Sequence, residues 1–185
     1  LRATGHPILS EEGPLPDYEE RKNWPGLWVV DPLDGTSEFL KRNDEFTVNI
    51  AWVQDGRPMA GVIYLPVTHT LYFGMEGMGA FKVGDVTVAK SEEELIRAAQ
   101  RLPIEKQHEG FVVVASRSHL SGETEAYIDL LRKDHPDLSL ISAGSSMKLC
   151  RVAEGSADVY PRFAPTMEWD TAAGDAIVRA AGGEV

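Results

Sequence analysis

Two carboxylates three residues apart, in Asp31-Pro32-Leu33-Asp34-Gly35-Thr36, make this the segment best equipped for chemistry. The string follows the apolar run Leu27-Trp28-Val29-Val30, so it is expected on a turn at the end of a buried strand. On a turn stiffened by Pro32 the two acids can point the same way, whereas residues of a regular strand alternate between faces. Converging carboxylates repel, and a shared proton or a hard cation with oxygen ligands relieves the repulsion. Gly35 lets the backbone approach a ligand closely. Thr36 stands where a helix through Phe39 can begin, offering a hydroxyl and free N–H groups to an anion. An Asx-type turn is the plainer reading of Asp-Pro or Asp-Gly alone. The six-residue string is much harder to obtain by accident.

Three other places carry groups that could join it. Ile8-Leu9-Ser10-Glu11-Glu12-Gly13 ends an apolar stretch in paired acids. Trp169-Asp170-Thr171-Ala172-Ala173-Gly174 sets one carboxylate at the mouth of a helix of small residues. Gly144-Ser145-Ser146 opens a further helix, with Lys148 one turn in. Each has an ordinary explanation by itself: a solvated acidic loop for Glu11 and Glu12, and helix N-caps for Asp170 and the serines.

The elements that must position these groups are written in the hydrophobic pattern. Apolar runs at 27–30, 46–53, 59–65, 71–73 and 80–83, with a short one at 86–88, are separated by turn signals such as Asp55-Gly56 and Gly77-Met78-Gly79. They predict an antiparallel meander of four or five strands. Ser91-Glu92-Glu93-Glu94 has the form of a capping box ahead of a helix. A polar linker at 103–110 divides the chain into two halves. Residues 1–105 are the antiparallel-sheet half with the acidic turn, and residues 106–185 an α/β half with the substrate-side groups and the last acid. In the second half the apolar run 111–115 reads as a strand covered on both faces. A helix at 122–133, a strand at 138–141, a helix at 145–154, a brief strand at 159–160 and a helix at 171–181 follow. The whole is an α+β or α/β layered fold.

The 185 residues are 43% hydrophobic and 25% charged, the make-up of a soluble globular chain with a core. No run approaches the roughly 20 apolar residues of a membrane span, and the first residues, Leu1-Arg2-Ala3-Thr4-Gly5-His6, lack the apolar stretch of a secretory signal. The missing initiator Met predicts that the natural product is longer. A net charge of −11 argues against nucleic acid, whose phosphates need clustered Lys and Arg. A small anionic substrate remains compatible with that charge, with bound divalent cations as the obvious local counter-charge. The single cysteine, Cys150, closes no internal disulfide and suits a reducing cytoplasm.

Taken together, the strings resemble the inositol monophosphatase superfamily of metal-dependent phosphatases, and most of all its branch of bacterial 3'(2'),5'-bisphosphate nucleotidases. The resemblance is carried by Ser10-Glu11-Glu12, by the string from Asp31 to Ala51, by Gly144-Ser145-Ser146, by Tyr160-Pro161-Arg162-Phe163 and by the Trp169 string. It implies a layered αβαβα sandwich and two or three Mg²⁺ ions. Glu11, Asp31 and the Leu33 carbonyl would hold one ion, and Asp31, Asp34 and Asp170 the second. The cations would polarise a phosphate ester and acidify a water. Thr36 and Glu11 would orient and deprotonate that water, while the Gly35 and Thr36 amides, beside Leu33, Asp34 and Asp170, receive the phosphate. By the same resemblance His119, in Ser116-Arg117-Ser118-His119, faces the substrate. Ser145, Ser146, Lys148 and Arg162 would contact a second phosphate or the ribose, charges that separate a bisphosphate from an inositol phosphate. The implied reaction is hydrolysis of 3'(2')-phosphoadenosine 5'-phosphate to AMP and phosphate in the cytoplasm. A homodimer and peripheral contact with the inner membrane are both compatible with it. Members of the family begin with helices ahead of the position of Leu1 and continue past that of Val185, so the chain is expected to be the central part of such an enzyme.

Two other readings stay open. One is a broad inositol or sugar-phosphate phosphatase. The other is a non-catalytic module whose acidic loop takes up Mg²⁺ or Ca²⁺, or an inert fragment. Thr36 separates them: a structural cation site needs no hydroxyl beside anion-binding amides, whereas water activation does.

Overall fold

The structure, a computed structural model, describes residues 1–87, 91–104, 108–116 and 121–185. Seven strands form one sheet in sequence order: β1 (Ile8–Ser10), β2 (Gly26–Asp34), β3 (Thr47–Gln54), β4 (Arg57–Leu65), β5 (Thr70–Met75), β6 (Gly79–Val83) and β7 (Gln100–Leu102). β1 runs parallel to β2, and each later pair is antiparallel. The expected meander is present and longer at both ends. β1 and β7 have three residues each, too few to leave an alternating pattern, and they exist because a neighbour offers its edge. The 86–88 run adds no strand: Val86 and Thr87 lie outside any strand, and Val88 lies outside the described residues.

Alternation is clean in β3, where Thr47, Asn49, Ala51 and Val53 are buried and the residues between them are not. That register places two polar side chains, Thr47 and Asn49, on the inward face opposite Asp34 and Asp31.

The helices are α1 (Tyr18–Arg21), α2 (Thr36–Lys41), α3 (Glu92–Ala98), α4 (Gly122–Asp134), α5 (Met147–Glu154) and α6 (Glu168–Ala180). β8 (Val112–Ser116) and β9 (Ser139–Ala143) pair in parallel around the α4 crossover. The expected strand at 159–160 is a single bridge from Val159 to Val113. α3 carries the predicted capping box, with Glu94 N–H on Ser91 Oγ at 3.2 Å and Ser91 N–H on Glu94 Oε2 at 2.8 Å. α5 starts two residues later than expected, because Ser145 is held at φ 44° and cannot be a helical residue.

α6 lies across β2 to β6, with α5 packed beside it and against β8. The approach is close enough that a Cβ on Gly61 of β4 would sit 2.2 Å from the Ala173 carbonyl oxygen. Leu9, Ile63 and Tyr72 of the large sheet share one core with Val114, Cys150 and Ile177. One buried charge fixes α5 to this core. The Glu154 carboxylate accepts the Tyr72 hydroxyl at 2.8 Å, Lys82 Nζ at 2.6 Å, an Arg151 N–H at 2.9 Å and the Ser156 hydroxyl at 2.8 Å. Burial by itself would raise its pKa, but the bonds from Lys82, Tyr72 and Ser156 outweigh that and hold it below the usual carboxylate range. Breaking such a buried pair costs about 3–5 kcal/mol.

Candidate active site

β2 runs through Asp31, Pro32 and Leu33 and ends at Asp34, so the two acids sit on a strand, not on the expected turn. Their convergence is achieved by a bulge. Asp31 opposes Asn49 and Asp34 opposes Thr47, so three steps along β2 match two along β3. The extra residue cancels the alternation and returns Asp34 to the face of Asp31. Asp31 Oδ1 accepts the Leu33 N–H at 2.9 Å, which satisfies a backbone group that the bulge takes out of the ladder. Gly35 follows at φ 89°, where a Cβ would meet Ser145 Cβ at 3.1 Å. Thr36 is then the first residue of α2.

Asp170 arrives from the other end of the chain. α6 begins at Glu168, three residues earlier than expected, so Asp170 is its third residue and no cap. Trp169 is buried and so belongs to the helix that packs the core. Asp170 Oδ2 reaches back to the Met167 N–H at 3.0 Å and accepts the Thr166 hydroxyl at 2.7 Å, the acidic half of a capping box. Oxygens of Asp31, Asp34 and Asp170 all lie within 4.8 Å of one another. Glu11 follows β1, its N–H on the Val30 carbonyl at 3.3 Å, and its carboxyl is within hydrogen-bonding reach of Asp31.

Asp31 is 1% exposed. Burial above all, then the charges of Asp34 and Glu11, push its carboxyl up to about 8, against the lowering effect of the Leu33 amide. Such a group among other acids calls for a proton or a cation. The donors are all oxygen, which fits Mg²⁺ or Ca²⁺ and disfavours metals that prefer nitrogen or sulfur.

Beside the acids lies a cavity of about 230 Å³ lined by Asp34, Gly35, Thr36, Ser145, Ser146, Lys148, Arg162 and Asp170. Lys148 is 4% exposed, donates to the Ser145 carbonyl at 2.5 Å and lies 5.4 Å from the Tyr160 ring centroid. Burial lowers its pKa, partly offset by Asp34. Arg162 donates to the Tyr160 hydroxyl at 3.3 Å and to the Pro165 carbonyl at 3.0 Å. Its Nε and the Ser145 hydroxyl are buried without a partner among the described residues. The left-handed backbone of Ser145 costs of order 1–3 kcal/mol, strain that tends to collect at functional sites. The arrangement is a receptacle for an anion next to a nest of acids suited to a cation.

Tyr160 stood out in the sequence only as part of the Tyr160-Pro161-Arg162-Phe163 string, with no role of its own, and no role was assigned to Thr47 or Asn49. The only signal for the last two was polarity at inward positions of an otherwise apolar strand. The expected donor His119 lies outside the described residues, with Ser116 of the same segment lining the cavity. A roomier cavity of about 360 Å³, lined by Leu9, Val29, Val53 and Ala172 among others, does not contain the acidic cluster.

The model of the inositol monophosphatase family matches residues 2–185. The 3'(2'),5'-bisphosphate nucleotidase CysQ of Escherichia coli K12 is 45% identical over 179 residues, covering 97% of this chain and 65% of that protein. Its counterpart in Haemophilus influenzae is 37% identical over 172 residues, 93% of this chain and 60% of that protein. Among solved structures, CysQ from Bacteroides thetaiotaomicron, a bacterial member of the inositol monophosphatase family, superposes with a TM-score of 0.92 at 57% identity, over 98% of this chain and 68% of that one. Mycobacterium tuberculosis SuhB gives 0.68 at 26% identity, over 96% and 65%. The chain thus spans 65% of the length of the first of these curated relatives.

Proposed function

Because the chain belongs to the inositol monophosphatase family and has the layered αβαβα fold of its solved relatives, we propose that it is a Mg²⁺-dependent phosphomonoesterase that converts 3'(2')-phosphoadenosine 5'-phosphate to AMP and phosphate. The observation that supports this best is the adjacency of the Asp31–Asp34–Asp170 cluster to the cavity lined by Lys148 and Arg162. The similarity to proteins named bisphosphate nucleotidases favours the same substrate class.

When bound, Mg²⁺ supplies Lewis acidity to the ester and to the attacking water. Glu11, Asp31 and the Leu33 carbonyl would hold one ion and Asp31, Asp34 and Asp170 a second. The residues then divide the work. Thr36 holds the water through its hydroxyl, and Glu11 takes its proton. The Gly35 and Thr36 amides at the open end of α2 receive phosphoryl oxygens, since first-turn N–H groups have no partner within a helix. Attack on phosphorus in line with the ribose oxygen breaks the P–O bond, and that oxygen leaves with a proton from solvent. Lys148, Arg162 and Ser145 hold the second phosphate, the guanidinium gripping through its planar fork, and His119 donates to the sugar or to a phosphate. Ser146, expected among them, has its N–H and hydroxyl committed to Asp34 and the Asp170 carbonyl and is left no donor for a phosphate. Among the described residues no helix is long and apolar enough to cross a membrane. The buried free thiol of Cys150 is in keeping with work in the cytoplasm.

Initial rates in Mg²⁺ with the bisphosphate and with inositol 1-phosphate test the reading. The bisphosphate is expected to win in kcat/KM by roughly 10–100-fold, the worth of one charge-assisted hydrogen bond. Preference for inositol 1-phosphate overturns the substrate, and turnover of neither overturns the enzyme.

A further inference from the structure

We propose that Thr47 and Asn49 are positioning residues, a buried clamp that acts through Ser146 to hold Asp34 and Asp170 at the spacing a divalent cation requires. This rests on the metal-site part of the reading above and not on the substrate.

Thr47, Asn49 and Ser146 are 0%, 1% and 3% exposed. The Thr47 hydroxyl lies 3.0 Å from Asn49 Oδ1 and 3.3 Å from Asp34 Oδ2. Asn49 Nδ2 lies 2.9 Å from Ser146 Oγ and 3.1 Å from Asp34 Oδ2. Ser146 N–H meets Asp34 Oδ2 at 2.6 Å, and Ser146 Oγ lies 2.7 Å from both Asp34 Oδ2 and the Asp170 carbonyl.

Counting protons orders the network. A hydroxyl has one proton and an amide nitrogen two. Asn49 Oδ1 needs a donor, and the nearer contact gives it the Thr47 proton, which fixes which way the amide faces. The two protons of Asn49 Nδ2 then serve Asp34 Oδ2 and Ser146 Oγ. The Ser146 proton goes to Asp34 or to the Asp170 carbonyl; in either case the hydroxyl is wedged between the two segments that bring those acids. Asp34 Oδ2 is engaged by Ser146 N–H and by Asn49, so Oδ1 is the oxygen left for a cation. The next inward positions of β3 are Ala51 and Val53. Polar side chains in their place are costly unless every bond is made, and here each bond other than the one between Thr47 and Asn49 ends on a residue of the acid cluster or on Ser146 beside it.

The test is calorimetric titration of the metal-free chain with Mg²⁺, with thermal melts in parallel, for wild type, Asn49→Ala, Thr47→Val and Thr47→Ser. Asn49→Ala is expected to bind Mg²⁺ roughly 10–100-fold more weakly, the usual effect of losing a group that orients a metal ligand. Thr47→Val, close in shape, is expected to weaken binding in the same direction. Thr47→Ser keeps the hydroxyl and is expected to stay within about twofold of wild type. A lowered melting temperature with unchanged Mg²⁺ affinity in Thr47→Val makes the pair mere core packing and overturns the proposal, even where Asn49→Ala does not fold. Failure of the wild type to bind Mg²⁺ overturns it together with the metal site. Loss of the substrate assignment leaves these titrations, and the proposal they support, untouched.

Discussion

Asp31→Asn is expected to lower turnover by roughly 10³-fold or more, about 4 kcal/mol of lost transition-state stabilisation, measured as kcat/KM at saturating Mg²⁺. Asparagine keeps the size of the side chain and an oxygen for the Leu33 N–H, which Asp31 accepts at 2.9 Å, so the bulge survives. What disappears is the charge proposed to bridge two cations, at the most buried member of the cluster. The same burial gives the wild type a pH signature. With its carboxyl pushed up to about 8, the metal-free protein carries a proton there at neutral pH, and Mg²⁺ must displace it. Wild-type affinity is therefore expected to rise as pH climbs toward about 8 and to level off above it. Asp31→Asn has no such proton to release, and its residual binding is expected to lose most of that dependence. Near-normal turnover in the variant would remove Asp31 from the centre of the site.

Thr36→Ala is expected to lose roughly 10²–10⁴-fold in kcat, the usual cost of removing a group that handles the proton of the attacking water, with Mg²⁺ affinity close to wild type. Thr36 is exposed at the first position of α2, so truncating it disturbs no core contact. The split between metal binding and turnover distinguishes this role from that of a ligand. Thr36→Ser is expected to retain activity, because the hydroxyl remains. Unchanged kcat in Thr36→Ala would refute the assigned role, and a chain that binds Mg²⁺ with no turnover at all would return the account to a non-catalytic metal-binding module.

The acids were legible because their surroundings were unusual in combination: an apolar run, two carboxylates, a proline, a glycine and a threonine in one string. How they converge was not legible. Asp-Pro and Asp-Gly are turn dipeptides, yet the strand continues through Asp34, since Asn49 and Thr47 pair with it across the ladder and Asp31 satisfies the Leu33 amide. Such a bulge depends on a partner strand and leaves no local signal. The start of α6 was misplaced for a related reason. Asp170 resembles an N-cap by type, but burial of Trp169 draws the helix back by one turn, and the carboxylate closes the first turn from inside. Ser145 was expected in α5 on composition, and only its left-handed backbone beside Gly35 takes it out. The clamp was out of reach altogether: Asn49 meets Ser146 across 97 residues of sequence. A two-residue periodicity reports which face a side chain takes, but not what waits there.

The most direct measurement is the anomalous scattering of Mn²⁺ in crystals of the chain, collected at the manganese absorption edge. The account predicts a peak about 2 Å from carboxylate oxygens of Asp31, Asp34 and Asp170, as a hard cation requires, and a second peak shared by Asp31 and Glu11. Density that leaves these side chains free of metal, with Mn²⁺ bound only elsewhere, would contradict it.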